Sequence, residues 1–251
     1  MRIPRLMAFD LDGTLAESKS PMSAEMGELL AQLLNRMPVA VLSGGSWKQF
    51  QRQFLTHFPP DAKLEHLYLF PTNAALCFVY RSREWHPQYD NSFSDAQKER
   101  IKKAFAEALA ESHFIQPQTV WGEQLEDRGG EITFSALGQE APLEEKQKYD
   151  PDKSKRMPLY EALKKRLPDC SIGINAATSI DITPHGIDKA YGIQRLCELT
   201  HLTPKDILYV GDALEEGGND ATVLRTGVAT HAVFGPEETA ALIRTVLQSR
   251  V

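Results

Sequence analysis

Four short, mostly apolar runs, each stopped by a polar or glycine-bearing turn, constrain this chain more than any other feature. Arg5–Phe9 runs into Asp10-Leu11-Asp12-Gly13-Thr14, and Val39–Leu42 into Ser43-Gly44-Gly45-Ser46. Leu67–Phe70 runs into Pro71-Thr72-Asn73, and Ile207–Val210 into Gly211-Asp212. Runs this short and this apolar read as strands covered on both faces. Helical spacing follows the first two: Met26, Leu29, Leu30, Leu33 and Leu34 share one side of 23–36, and Trp47, Phe50 and Phe54 fit one face after Ser46. Strand, turn and helix in repetition predict βα units and a largely parallel sheet. Its functional loops gather beyond the carboxyl ends of the strands.

The texture changes in the middle. Leu76–Arg81 reads as a strand. Ser94 and Gln97 fit a capping box opening a helix through Glu111, with Ile101, Phe105, Ala108 and Leu109 as its packed stripe. Glu131–Leu137 alternates, a charged stretch runs from Glu140 to Arg156, and Pro158–Arg166 reads as a helix. Ser171–Asn175 and Ser179–Ile182 read as strands. The first texture then returns: an amphipathic Asp188–Leu199, a helix opened by Gly218-Asn219-Asp220, a strand Val228–Thr230 and a terminal helix Pro236–Leu247. The expected fold is α/β, a Rossmann-like parallel-sheet core with an inserted α+β cap domain. The core is expected from 1–81 and 183–251 and the insert from 82–182. Two side-by-side domains are the alternative.

Bulk properties exclude several classes. With 28 basic and 34 acidic residues the net charge is −6, which disfavours tracking along a nucleic-acid backbone. No stretch approaches the roughly 18 apolar residues that a membrane span needs. Cys77, Cys170 and Cys197 form no paired spacing, and Asp10 cuts short the first apolar run before it resembles a secretory leader. A cytoplasmic protein is expected, with its oligomeric state open. The histidines show no HExxH spacing for zinc, and Asp-x-Asp-Gly stands where a nicotinamide site would place GxGxxG.

The chemistry is carried by carboxylates. Asp10 and Asp12 share a tight turn after a buried strand, and two carboxylates that close repel unless a cation or proton joins them. Asp212 ends another strand and Asp220 follows at a turn. Together these four can build a site for a hard divalent cation such as Mg2+. Ser43, before two glycines, can hold phosphoryl oxygens with nearby backbone N–H groups. Lys189 opens a helix, where a cation opposes the helix dipole, and this local mismatch hints at a role beside the acids and a phosphate.

These residues resemble the haloacid-dehalogenase superfamily of phosphotransferases, in the branch with its cap inserted between the second and third motifs. The match runs through Asp10-Leu11-Asp12-Gly13-Thr14, Ser43, Gly186-Ile187-Asp188-Lys189, and Gly211-Asp212 with Gly217-Gly218-Asn219-Asp220. Within it the chain looks most like the eukaryotic-type phosphomannomutases. That resemblance implies Asp10 as nucleophile, Asp12 as general acid/base, and Ser43 and Lys189 as phosphate-binding residues. It also implies Mg2+ held by Asp10, Asp12, Asp212, Asn219 and Asp220, with the Asp12 contribution through its backbone carbonyl. It places substrate contacts at Arg128, Ser179 and Asp181. Two of the family's phosphate-binding arginines correspond here to Gln139 and Lys146, which weakens a clamp for a second phosphate. The expected activity is therefore a magnesium-dependent phosphatase acting on a phosphorylated sugar, a small phosphate ester such as a hexose phosphate, through an aspartyl-phosphate. A hexose-phosphate mutase is the alternative, and a non-catalytic binding protein a remoter one.

Overall fold

A computed structural model of the chain describes residues 3–18, 20–175 and 177–249. It divides into two compact units, one from residues 1–90 and 188–251 and the other from Asn91–Ile187. The expected boundaries fall elsewhere. Position 82 lies in a hairpin turn, and position 182 lies inside a strand.

In the first unit, β1 (Leu6–Phe9), β2 (Val39–Leu42), β3 (Leu67–Phe70), β10 (Ile207–Gly211) and β11 (Ala229–Ala232) form a parallel array. β4 (Leu76–Arg81) and β5 (Glu84–Asp90) extend it antiparallel, giving the order β11-β10-β1-β2-β3-β4-β5. Alternate residues face opposite ways, as strand geometry requires. Met7, Phe9, Val39, Val41, Leu208 and Val210 enter one apolar cluster with α1 (Ala24–Leu34) and α7 (Pro236–Gln248). Leu6, Ala8, Ala40, Leu42, Ile207 and Tyr209 enter the other with α6 (Lys189–Thr200). Both faces are covered, which is why these strands read as continuous apolar runs.

Chain order reverses at β1, with β2 on one side and β10 on the other. Such a switch point opens a crevice at the carboxyl ends of the strands. Asp10 continues the ladder there, its N–H donating to Val210 O at 2.9 Å. The expected helix after Asp220 is a single 3₁₀ stretch, Ala221–Thr226, closed by Gly227 in the left-handed region (φ 76°).

The second unit carries α3 (Asp95–Glu111), opened by the expected capping box of Ser94 and Gln97. Its antiparallel sheet has the order β6-β7-β9-β8, from β6 (Leu125–Asp127), β7 (Ile132–Ser135), β8 (Cys170–Asn175) and β9 (Ser179–Pro184). Ile132, Phe134, Ile180 and Ile182 pack on α3 and α5 (Met157–Arg166), while Thr133 and Asp181, which are register partners, point the other way. The charged stretch is ordered: α4 (Leu143–Tyr149) is followed by an Asp150–Arg156 ion pair of 2.7 Å with both side chains fully buried. Among the described residues no helix is long and apolar enough to cross a membrane.

Candidate active site

Lys189 organises the crevice at the end of β1. Its Nζ donates to Asp10 Oδ1 at 2.5 Å and to Asp220 Oδ1 at 2.6 Å, and all three side chains are buried. Burial alone would lower an ammonium's pKa, yet the two carboxylates overcome it and hold Lys189 above the ordinary lysine range. Asp188 caps α6 by accepting from Tyr191 N–H at 3.0 Å, which fixes the turn that presents Lys189.

Asp220 is held on both oxygens. Tyr209 Oη donates to Oδ1 at 2.5 Å and Ala213 N–H to Oδ2 at 3.1 Å. Gly211 makes this possible, since a Cβ there would lie 2.3 Å from Asp220 Oδ2. Gly13 is required in the same way: at φ +85° its missing Cβ leaves room for Asp212 Oδ2, which would otherwise be 2.3 Å away. Thr14 Oγ1 approaches Asp212 Oδ1 at 3.5 Å.

Asp10, Asp212 and Asp220 offer carboxylate oxygens all within 4.8 Å of one another. Burial, and then Asp220, push the Asp10 carboxyl well above its ordinary range despite Lys189. Partial desolvation and Asp220 push Asp212 up to about 6. Asp10 Oδ2 is buried and has no hydrogen-bond partner. Three acids sharing one ammonium, with one Asp10 oxygen orphaned, leave hard oxygen ligands short of positive charge, which fits a magnesium ion.

Asp12 departs from the expected grouping of side chains. Its carboxylate lies outside the three-acid cluster and receives Gln53 Nε2 on Oδ1 at 3.0 Å and Gln49 Nε2 on Oδ2 at 3.3 Å. Asn219 is half-buried immediately before Asp220. Ser43 follows β2, one residue beyond the level of Asp10 in the β1–β2 register, and its Oγ accepts from Gly45 N–H at 3.0 Å. Thr72, Asn73 and Ala74 take left-handed backbone angles (φ 51°, 52° and 69°) and brace that loop. Thr72 N–H donates to Gly45 O and Asn73 N–H to Ser43 O. Three successive non-glycine residues there cost on the order of 1–3 kcal/mol each, a cost that tends to persist where function holds the loop.

The remaining expected residues lie in the second unit. Arg128 bonds Glu126 Oε2 at 2.7 Å and Glu131 Oε1 at 3.0 Å. Burial would lower the pKa of Arg128, but Glu131, Glu126 and Asp181 raise it. Ser179 and Asp181 stand two residues apart on the β9 face that does not meet the apolar cluster, and Ser179 O accepts from Arg156 Nη1 at 2.7 Å. Gln139 donates its amide to Gln124 O and Thr133 O, both at 3.4 Å, while Lys146 Nζ donates to Gln139 O at 2.9 Å.

Tyr209, Gln49 and Gln53 are absent from the sequence-based site. Tyr209 sits within an apolar run and reads as core. The two glutamines stand four residues apart beyond Ser46, a spacing that places both on one side of a helix. A hydrogen bond to a charged group is worth about 1.5–3 kcal/mol, so Tyr209→Phe is expected to lower unfolding free energy by roughly that amount. Denaturant melts of the two proteins measure it, and an unchanged midpoint would show the hydroxyl to be dispensable.

Residues 26–249 match the family model described as eukaryotic phosphomannomutase. The chain is 27% identical over 254 residues to a probable phosphomannomutase of Caenorhabditis elegans, covering 97% of this chain and 95% of that one. It is 27% identical over 244 residues to the phosphomannomutase of Saccharomyces cerevisiae, covering 95% and 92%. In fold it is similar to the IMP-bound IMP-nucleotidase of Plasmodium falciparum, with TM-score 0.72, 16% identity, and coverage of 98% and 68%. It is also similar to a haloacid dehalogenase-like hydrolase from Bacteroides thetaiotaomicron, with TM-score 0.62, 16% identity, and coverage of 97% and 99%.

Proposed function

The chain belongs to the eukaryotic phosphomannomutase family, within the haloacid-dehalogenase superfamily, and on the residues of its second unit we propose that it is a magnesium-dependent phosphatase acting on a hexose monophosphate. The reading of Asp10 as nucleophile is supported by its position at the strand switch point, with Lys189 on one oxygen and no partner on the other. One observation carries the choice of hydrolysis. The residues standing for two family arginines, Gln139 and Lys146, both donate to backbone carbonyls of their own unit. Arg128 is meanwhile paired with two carboxylates. A mutase must hold one phosphate while the other reacts, and donors already engaged in this way favour a substrate with a single phosphate.

In the proposed reaction an Asp10 oxygen attacks phosphorus in line and the ester bond breaks, leaving an aspartyl-phosphate. Asp12 gives its proton to the departing sugar oxygen. A water molecule then attacks the phosphorus, Asp12 takes its proton back, and Asp10 is released as a carboxylate with inorganic phosphate. Ser43 and Lys189 hold the equatorial oxygens as charge builds on them. Asp10, Asp212 and Asp220, with the Asp12 backbone carbonyl and with Asn219 acting through water, would hold the metal. Bound there, magnesium supplies the positive charge that offsets the incoming phosphoryl anion. Arg128, Ser179 and Asp181 are proposed to select the sugar.

The test is phosphate release from a panel of hexose phosphates, with and without Mg2+ and with and without a hexose bisphosphate, with sugar isomers analysed in parallel. Release that needs Mg2+ and no bisphosphate is expected. Isomerised sugar phosphate with negligible release would favour a mutase, the reading supported by the family model and the named relatives. The metal has its own readout. Asp212 binds a proton more tightly in the fold, at about 6, than an unfolded aspartate does, at about 3.9. Acidification through that window therefore stabilises the cluster without a cation. The rise in melting temperature on adding Mg2+ should be larger at pH 7.5 than at pH 5.

A further inference from the structure

The carboxylate of Asp12 is gripped by two side-chain amides from the segment that follows Ser43. Gln53 Nε2 donates to Oδ1 at 3.0 Å and Gln49 Nε2 to Oδ2 at 3.3 Å. Gln49 Nε2 also donates to Gln53 Oε1 at 2.8 Å, so the two amides and the carboxylate close a triangle. We infer that Gln49 and Gln53 are positioning residues that aim Asp12 at the departing oxygen, an inference resting on the acid/base reading of Asp12 above.

The local backbone is built for this grip. Ser46 caps a short helix, α2 (Trp47–Gln49), by accepting from Gln49 N–H at 3.3 Å. The chain then widens into a π-helical turn over Phe50–Phe54, closed by Leu55 N–H on Phe50 O. Single π turns of this kind recur at functional sites. Phe50 and Phe54 are fully buried and meet edge-on at 6.2 Å. Trp47 stacks on Phe78 at 4.0 Å. The apolar side of the segment is therefore locked into the core while the glutamines reach Asp12. Gln53 is itself only 5% exposed, so its amide depends on these partners. Met22 N–H takes the Gln53 carbonyl at 2.8 Å and fixes the backbone from behind.

The residue type suits the task. An arginine or lysine would pair with a carboxylate as a full charge and hold it ionised, with no proton to give. Two neutral amides set the direction of the carboxylate and add no charge. The same segment leads out of the Ser43 loop, so the residue proposed to hold phosphoryl oxygens and the two residues that orient Asp12 follow one another in the chain.

The test uses leaving groups. A sugar alkoxide needs a proton to depart, whereas the nitrophenolate of p-nitrophenyl phosphate leaves without one. General acid catalysis contributes about 10²–10⁴-fold. Gln53→Leu is expected to lower kcat/KM, which reports the steps up to departure of the leaving group, about 10–100-fold on a hexose phosphate and at least ten times less on p-nitrophenyl phosphate. Gln49→Leu, at a less buried position, should show the same pattern and serves where Gln53→Leu fails to fold. Equal losses on both substrates, or none on the hexose phosphate, overturn the inference. Asp12→Asn is the control. If its loss in kcat/KM is itself independent of the leaving group, the acid/base reading of Asp12 fails and the inference falls with it. If Asp12→Asn shows the pattern and the glutamine variants do not, only the inference fails.

Discussion

Asp10→Asn is expected to abolish phosphate release, by about 10⁴-fold or more, while leaving the protein as stable as before or more so. The two halves of that expectation have different causes. An amide has no oxygen free to form the acyl phosphate, so the first bond of the reaction is not made. The fold, in contrast, carries Asp10 at a cost. Burial and the neighbouring Asp220 and Asp212 raise its carboxyl well above the ordinary range, so carrying its charge there costs stability. Asparagine keeps an oxygen to accept from Lys189 and removes one negative charge from a crowded cluster. Active sites commonly trade stability for function in this way. Phosphate release together with thermal melting without added metal measures both halves. A large loss of stability would identify Asp10 as a structural anchor of the sheet end. Near-normal turnover would remove it as nucleophile.

The strands of the first unit were legible because they are buried on both faces, so no polar residue interrupts Leu6–Phe9 or Val39–Leu42. The same completeness concealed Tyr209. Its ring belongs to the core cluster of β10 and only its hydroxyl belongs to the site. Strands with weaker burial escaped. β5 is an edge strand of half-exposed and exposed residues with Pro87 inside it, a composition that edges tolerate and central strands do not. β6 is three residues long and α4 shows only Lys146 buried, so neither offers a period to read.

The site divides along similar lines. Lys189 was legible as a misfit, a cation at a helix N-terminus, and the structure supplies two buried carboxylates to account for it. The carboxylates of Asp10, Asp212 and Asp220 converge because adjacent strands end at one crevice, which the run-and-turn pattern implies. Asp12 follows β1 as the sequence pattern implies, but the direction of its side chain depends on Gln49 and Gln53, about forty residues away along the chain. A local pattern cannot specify a contact of that separation. Arg128 illustrates the same gap in the second unit. The resemblance implied a substrate contact there, and a local pattern does not show that Glu126 and Glu131 hold its guanidinium.

Lys189→Met is expected to cost both activity and fold. Methionine matches the length of the side chain and leaves Asp10 and Asp220 buried with no cation between them. Removing one member of a buried, hydrogen-bonded ion pair typically costs about 3–5 kcal/mol, because the remaining charge is left uncompensated. Here two carboxylates share the one ammonium, at 2.5 and 2.6 Å. Asp10, whose carboxyl burial already pushes up, should take up a proton in the variant, so part of its stability should recover as the pH falls. Wild-type protein, whose Asp10 and Asp220 share the Lys189 ammonium, should gain less over the same pH range. Activity should fall with stability, since the ammonium also faces the position of the transferred phosphoryl group. A double-mutant cycle separates the two effects. Asp10→Asn and Asp220→Asn together remove the charges that Lys189 offsets, so adding Lys189→Met to that background should cost much less than it does in the wild type. Chemical denaturation of the four proteins measures the coupling. Additive losses would show that Lys189 stabilises the crevice by packing alone, and the charge balance built on Asp10, Asp220 and Lys189 would no longer account for the site.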